Sequence, residues 1–596
     1  MGTLAGPAPL SRPSGKGQAI LGAFVVLAAL AHTAGIGALL DLRVHSDETI
    51  YLRHGAGLGA LALPDASWSP LYCVWYAVLS ALEPDGPRLY TLSYVALVTA
   101  TTGLVYLLLL GLRAHALAAA AGSLAYLLSN AAVAHPHVGL FALLLILAGA
   151  NVVVRARSEP AAYLAAGVTA ALLPFARPEY VVSLGLFVAA GALALVVRRR
   201  RGRSAGDLRR AALFVAVAAV PFAVFGNPAT GNKQWLSFCG SFLFAQPSYI
   251  PAPEPFVFPY NCVVVMPQVF GDADSLPEAL VRNPGAVAGH VLANVRTWAA
   301  LAAVLPFATP LPFLSARGQR AMALAELALV AAALAWAWRA RRAGPAPPLM
   351  PRALVVFLAV LWPSSTLAAL LYYPRPHYLV AQAAFLIVAA AAYVGAARGG
   401  AGSALRPGPA LAFGLGLLVL TPNHVRGWLG AGRPLPGDAA GQEQVLARRF
   451  DAAFAWPRLL GQYWGGRPFV APVAALEQYR PEAIGEDRAT VALLRALGIA
   501  GPVTVVAVGD YSTYLAPGHR YVPWMRRKSQ GVAELLEAQG ADVLVVDRVL
   551  RGDYAYAEDW DAFLRDPARH GFARLEVPGT RRVVLVRRVR LPAAGA

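Results

Sequence analysis

Apolar residues in this chain occur in long runs with few charges inside them, separated by short polar turns rich in arginine and proline. A run of about 17–24 mostly apolar residues suffices to cross a bilayer as a helix. Eleven segments meet that description: 19–40, 89–112, 116–134, 138–154, 160–176, 180–197, 211–226, 320–338, 353–373, 378–397 and 408–422. A twelfth stretch, 284–316, is apolar but broken by Pro306, Pro310 and Pro312, and it carries His290, Asn294 and Arg296. Counted as a span, it would move the Arg339–Arg342 cluster to the opposite side, so it is read as a helix and loop lying at the outer interface. With the N-terminus inside (Arg12, Lys16), the turns carrying Arg113, Arg155 and Arg157, Arg198–Arg210, Arg339–Arg342, and Arg398 and Arg406 all fall inside, as the positive-inside rule requires.

This arrangement leaves three outer loops. The first, 41–88, includes a short apolar helix over 69–82, expected along the membrane surface. The second, 227–319, is long for an inert connector, and such lengths more often serve a function. The third is the turn Tyr372-Tyr373-Pro374-Arg375-Pro376-His377-Tyr378. Beyond residue 423 the pattern changes: charges become frequent, and short β-rich runs alternate with helical periodicity. Val503–Val508 and Ala541–Asp547 are expected as buried strands, Gly531–Gln539 as the helix between them, and Ala573–Val577 with Arg582–Val589 as a hairpin. The expected architecture is an α-helical polytopic membrane protein with a C-terminal extracytoplasmic α/β domain. Residues 1–18 form a cytoplasmic tail, 19–422 the membrane domain and 423–596 the outer domain.

Composition agrees. The chain of 596 residues is 57% hydrophobic and 14% charged, with a mean hydropathy of +0.53, too little charge to cover a soluble protein of this size. The net charge of +19 sits in clusters abutting the apolar runs, seven arginines between Arg198 and Arg210 among them. That is a membrane anchor's pattern rather than a nucleic-acid stripe, so the partner surface is lipid, not nucleic acid. Cys73, Cys239 and Cys262 are too few for a disulfide scaffold. Cys239 and Cys262 share the long outer loop, where a bridge would add about 3 kcal/mol. The basic, Pro/Gly/Ser-rich first residues lead into an apolar run long enough to stay as a helix, so no cleaved signal peptide is expected.

Candidate chemistry gathers on the outer side. Asp47 and Glu48 follow the first span, Arg177 and Glu179 end the fifth, Lys233 lies in the long loop, and Arg375, His377 and Tyr378 lie in the short turn. No H-E-x-x-H, C-x-x-C, G-x-S-x-G, P-loop or dinucleotide fingerprint occurs. No cofactor is implied, and a divalent metal is left open. An acid beside several cations at a lipid surface suits transfer from a lipid-linked phosphate: arginine or lysine stabilises the leaving phosphate while a carboxylate takes the proton of an attacking hydroxyl. Each residue also has a plainer explanation. Arg177 can snorkel and pair with Glu179, Lys233 can be a solvated loop residue, and His377 can be packed and neutral. Tyr72, Trp75 and Tyr76 can belong to an interfacial aromatic belt.

The Asp47-Glu48 pair after the first span, the Trp68-Ser69-Pro70-Leu71-Tyr72 step, the Arg177-Pro178-Glu179 triplet and the Pro374-Arg375-Pro376-His377-Tyr378 turn resemble GT-C-class integral-membrane glycosyltransferases. The nearest branch is that of protein mannosyltransferases and aminoarabinose transferases. The resemblance covers about 19–422 in order and topology, and the outer α/β tail is similar to that of some bacterial members. It implies inverting transfer of a sugar from a polyprenyl-phosphate donor to a lipid, glycan or protein acceptor at the outer face of a bacterial inner membrane. Asp47 would be the general base and Glu48 a second acid orienting the acceptor or the base. Arg375 would hold the donor phosphate, with His377, Tyr378, Lys233 and Arg177 as further candidates. Glu179, Trp68 and Tyr72 would contact substrate. Where the family more often has Arg-Tyr, this chain has Arg375-Pro376-His377-Tyr378. A transporter or flippase for a lipid-linked or small polar substrate is the main alternative, and a non-catalytic envelope protein the third. Transporters tend to keep ionisable residues near the bilayer midplane, whereas the interiors of these spans are nearly free of charge.

Overall fold

A computed structural model describes residues 15–40, 46–58, 66–129, 137–200, 205–229, 233–245, 265–304, 350–372, 374, 376–397, 483–499, 502–507, 519–523, 531–546, 557–580 and 582–591, with scattered positions between 328 and 339. The apolar runs within those residues are helices: α1 (Gly15–Leu40), α4 (Gly86–Gly111), α5 (Ala116–Leu128), α6 (Val138–Arg155), α7 (Glu159–Leu172), α8 (Val181–Arg200) and α9 (Ala205–Phe225). Between α1 and α4 lie α2 (Ser46–Gly57) and α3 (Pro70–Ser80). After α9 come α10 (Lys233–Ala245), α11 (Met266–Phe270), α12 (Leu276–Arg282) and α13 (Pro284–Val304), then α14 (Arg352–Leu371) and α15 (Pro376–Ala397). Among the described residues, six segments are long and apolar enough to cross a membrane: Lys16–Thr33, Gly86–Gly111, Val138–Arg155, Pro178–Val197, Arg352–Leu371 and His377–Val394. Helices dominate because a spanning segment has to satisfy its backbone polar groups internally. The expected spans at 320–338 and 408–422 lie largely or wholly outside the described residues, as do Arg375 and Cys262.

Polar contacts identify the two ends of the bundle. At one end the Tyr106 hydroxyl donates to the Gln18 carbonyl, and Arg155 donates to the carbonyls of Leu107 and Asn151. At the other end lie α2, α3 and the starts of α4, α6 and α15. The core between the ends is one cluster running through α1, α4, α5, α6, α14 and α15. The helices between α9 and α14 build a separate, smaller core from Phe238, Phe242, Met266 and Phe270, with Val287 of α13.

In the C-terminal part, β1 (Thr504–Ala507), β2 (Arg520–Pro523), β3 (Val543–Val546), β4 (Phe572–Glu576) and β5 (Val583–Arg587) form one sheet in the order β2-β1-β3-β5-β4. β1 pairs parallel with β2 and β3, while β5 runs antiparallel to both β3 and β4. Strand side chains alternate between faces. Val506, Leu544, Val546 and Leu585 therefore pack under α17 (Val532–Ala538) and α18 (Ala557–Arg565), and Val505, Val543, Val545 and Val584 under α16 (Ala483–Ala496). Coverage on both faces explains why β3 is wholly apolar. The predicted strands, helix and hairpin are all present; β2 is additional. A buried ion pair fastens α16 to the sheet, with Arg582 Nη1 at 2.5 Å from Asp487 and Nε at 3.1 Å from Glu486.

This domain touches the first loop. Arg488 of α16 places Nη2 3.0 Å from each carboxylate oxygen of Asp85, the N-cap of α4. Arg53 of α2 donates to the His519 carbonyl at 3.2 Å. The seam holds an open cleft of about 370 Å³ lined by Pro84, Asp85, Gly86, Arg488, Val491, Ala492 and Arg495.

Candidate functional site

Two polar clusters sit at the end of the bundle that carries α2 and α3, and Tyr51 lies between them. The first is built on Glu48. α2 lays Glu48 against α3, where Tyr72 and Tyr76 are one helical turn apart and so share a face. Both hydroxyls donate to Glu48 Oε2, at 2.9 Å and 2.7 Å. All three side chains are buried. A buried carboxylate is costly unless its oxygens accept hydrogen bonds, and two tyrosine donors meet that need. Burial raises both phenol pKa values well above the ordinary tyrosine value, and the Glu48 charge raises them further, so the tyrosines stay protonated donors. Tyr72 and Tyr76 are thus interior residues, not members of a surface belt. Tyr51 packs edge-on to Tyr72 at 5.2 Å and to Trp68 at 6.2 Å.

α2 and α3 can meet this closely because Gly55 faces α3: a Cβ there would lie 2.8 Å from Tyr76 Cβ and 2.9 Å from the Cys73 carbonyl. The turn into α3 is tight as well. Ser69, buried and directly before Pro70, adopts φ 50°, a region open mainly to glycine and disfavoured before proline. Strain of this kind tends to gather at functional sites.

The second cluster centres on Arg177. Its Nη1 donates to the His377 carbonyl at 2.7 Å, its Nη2 lies 2.5 Å from Glu179 Oε1, and its guanidinium lies over the Tyr378 ring at 4.6 Å. Burial opposes the arginine's charge. The Glu179 carboxylate, with Tyr378, Tyr180 and Tyr51 behind it, more than offsets that and holds the pKa above the ordinary arginine value. The predicted Arg177–Glu179 pair is therefore formed, and Arg177 is buried within it, with Glu179 half-buried, rather than snorkelling. His377 stacks on His137, with ring centroids 4.2 Å apart. His137 caps α6, its Nδ1 accepting from the Gly139 amide at 2.8 Å, so the proton of its neutral form is on Nε2. Gly139 allows the contact: a Cβ there would fall 2.6 Å from the His377 carbonyl and 3.2 Å from Arg177 Nη1.

The predicted residues thus separate into groups. Arg177, Glu179, His377 and Tyr378 converge, and Glu48, Tyr72 and Trp68 form the neighbouring pocket with Tyr51. Asp47 is the second residue of α2 and Lys233 the first of α10, but their side chains, like the whole of Arg375, lie outside the described residues. Cys239 is buried in the core formed by the helices between α9 and α14. Sequence reading did not single out His137, Gly139, Gly55, Tyr51 or the roles of Tyr72 and Tyr76. His135-Pro136-His137 at the mouth of a span was the available signal for the first of these. Among the described residues, no group of three or more His, Cys, Asp or Glu side chains is placed to hold a metal ion.

The arrangement offers buried, fixed cation character from Arg177, two stacked imidazoles and a carboxylate-bearing helix at one end of an apolar bundle. Such a set can hold an anionic group at a lipid boundary and move a proton. The chain matches no protein-family model, no curated protein and no solved structure.

Proposed function

We propose that the protein is an integral-membrane glycosyltransferase that moves a sugar from a polyprenyl-phosphate donor to an acceptor hydroxyl with inversion. In this reading it has eleven spans in a bacterial inner membrane, a cytoplasmic N-terminus and an extracytoplasmic C-terminal domain. Asp47 takes the proton of the acceptor hydroxyl as its oxygen attacks the anomeric carbon. The bond from that carbon to the phosphate oxygen breaks, and the lipid phosphate leaves with the electron pair. Arg375, with His377 and Tyr378 beside it, receives the phosphate charge. Arg177, whose guanidinium is engaged by Glu179 and the His377 carbonyl, positions that turn. Glu48, held by Tyr72 and Tyr76, fixes α2 and hence the residue before it.

The observation that carries the reading is the presence of Glu48 of α2, the Arg177-Glu179 pair, His377 and Tyr378 at one end of an apolar bundle. A transporter needs ionisable groups along its translocation path; here Glu48, Arg177 and Glu179 lie at one end and Arg155 at the other.

The test is release of free polyprenyl phosphate from a panel of polyprenyl-phosphate sugars, with and without membrane extract as acceptor source. Release by wild type that requires extract, with loss of at least about 100-fold in Asp47→Asn at unchanged melting temperature, is the expected result for a general base. Turnover by Asp47→Asn at the wild-type rate removes the assignment of the base. Absence of release from every donor removes the reaction.

A further inference from the structure

The long loop between α9 and α14 has a use that its sequence does not disclose. α13 crosses the end of α14, where the last carbonyls of a helix have no partner in their own helix. Three of them receive hydrogen bonds from α13. Asn294 Nδ2 donates to Leu370 O at 2.9 Å and to Tyr372 O at 3.0 Å, and His290 Nε2 to Leu371 O at 2.9 Å. Both side chains are fully buried, with 0% of His290 and 1% of Asn294 exposed. The His290 ring is fixed between Phe238 and Phe242, each at 5.4 Å, in the core that α10 and α11 supply. The chain leaving this cap leads on to His377 and Tyr378 at the start of α15. Tyr372 stacks on Tyr378 at 6.2 Å, and Tyr378 lies under Arg177.

We propose that His290 and Asn294 are positioning residues: the loop core locks them onto the end of α14, and through it they set Tyr372, His377 and Tyr378 against Arg177 and His137. The inference rests on the glycosyltransferase reading for the identity of the ligand, a polyprenyl-phosphate sugar bound through its phosphate. The anchoring itself is independent of that reading. The long loop is then the clamp of the donor site, and α13 its working part.

The experiment uses full-length protein in lipid nanodiscs. Asn294→Ala, His290→Ala and His290→Gln, which keeps a donor, are compared with Tyr106→Phe, which loses a bond at the opposite end of the bundle. Amide exchange over 371–380 should rise about tenfold in the two alanine variants and stay at the wild-type rate in Tyr106→Phe. The KM for the polyprenyl-phosphate sugar should rise about tenfold with kcat within about twofold, and His290→Gln should recover most of the loss. Unchanged exchange in both alanine variants overturns the anchor. Raised exchange with an unchanged KM overturns the link to the donor. If the wild type releases lipid phosphate from no donor, the glycosyltransferase reading fails, and the exchange result still decides whether these two side chains hold the turn.

Discussion

At the scale of single residues, burial and hydrogen bonding decide what each polar group in this protein does. Glu48 and Asp47 are neighbours in sequence, yet Glu48 is committed to a tyrosine pocket, where two hydroxyl donors hold its carboxyl in place. His290 is a second case. Burial lowers its pKa from the ordinary 6.5, and its Nδ1 has no partner among the described residues, so a proton gained there would meet no acceptor. The folded state thus keeps His290 neutral, while the unfolded chain takes up a proton below about pH 6.5. The unfolded state binds more protons there, so stability falls as pH falls through that value. We expect the melting temperature of wild type to drop more steeply between about pH 7.5 and about pH 5.5 than that of His290→Gln. Parallel curves would show that His290 does not titrate between the two states.

At the scale of elements, close approach at two glycines lets the site form. Gly55 brings α2 onto α3, and Gly139 brings the start of α6 onto the His377 carbonyl and Arg177. A methyl group at 139 would sit 2.6 Å from that carbonyl, far inside contact distance, so α15 or the Arg177 side chain has to move. Overpacking of this kind costs about 1–3 kcal/mol. Gly139→Ala should lower thermal stability by that order and, on the proposed mechanism, reduce lipid-phosphate release more than Gly55→Ala does, because His377 and Arg177 shift directly. A Gly139→Ala variant with wild-type melting temperature and wild-type turnover would count against this packing.

At the scale of the whole molecule, the C-terminal domain rests on the first loop through Arg488–Asp85 and Arg53–His519. The exposed Arg488–Asp85 pair contributes only about 0–1 kcal/mol; it sets register more than stability. Contact with α2 places this domain beside the helix that carries Asp47, the base in the proposed reaction. Sidedness can be read directly. A cysteine at Leu82, exposed in the first loop, should react in intact cells with a membrane-impermeant maleimide. A cysteine at Arg157, exposed at the opposite end, should react only after permeabilisation. Labelling of both, or the reverse order, would refute the proposed orientation.

The helical bundle was legible in the chain itself, because long apolar runs can satisfy their backbones only as helices, and Leu89–Leu112 or Ala353–Tyr373 admit no other reading. Most of the C-terminal sheet was legible too, since Val543–Val546 is apolar on both faces and the 573–589 hairpin is bounded by a Pro-Gly turn. β2 escaped because Arg520-Tyr521-Val522-Pro523 is a short edge strand, polar at its start and ending in proline. The gathering of Arg177, Glu179 and His377 on one side followed from counting arginines in alternate turns, a one-dimensional signal. Which of these groups face each other emerged only from the packed helices. His137 against His377, Tyr72 and Tyr76 on Glu48, and Asn294 on the last carbonyls of α14 join residues distant in the chain. Such contacts depend on helix crossings and on missing side chains at Gly55 and Gly139, and neither leaves a periodic trace in the sequence.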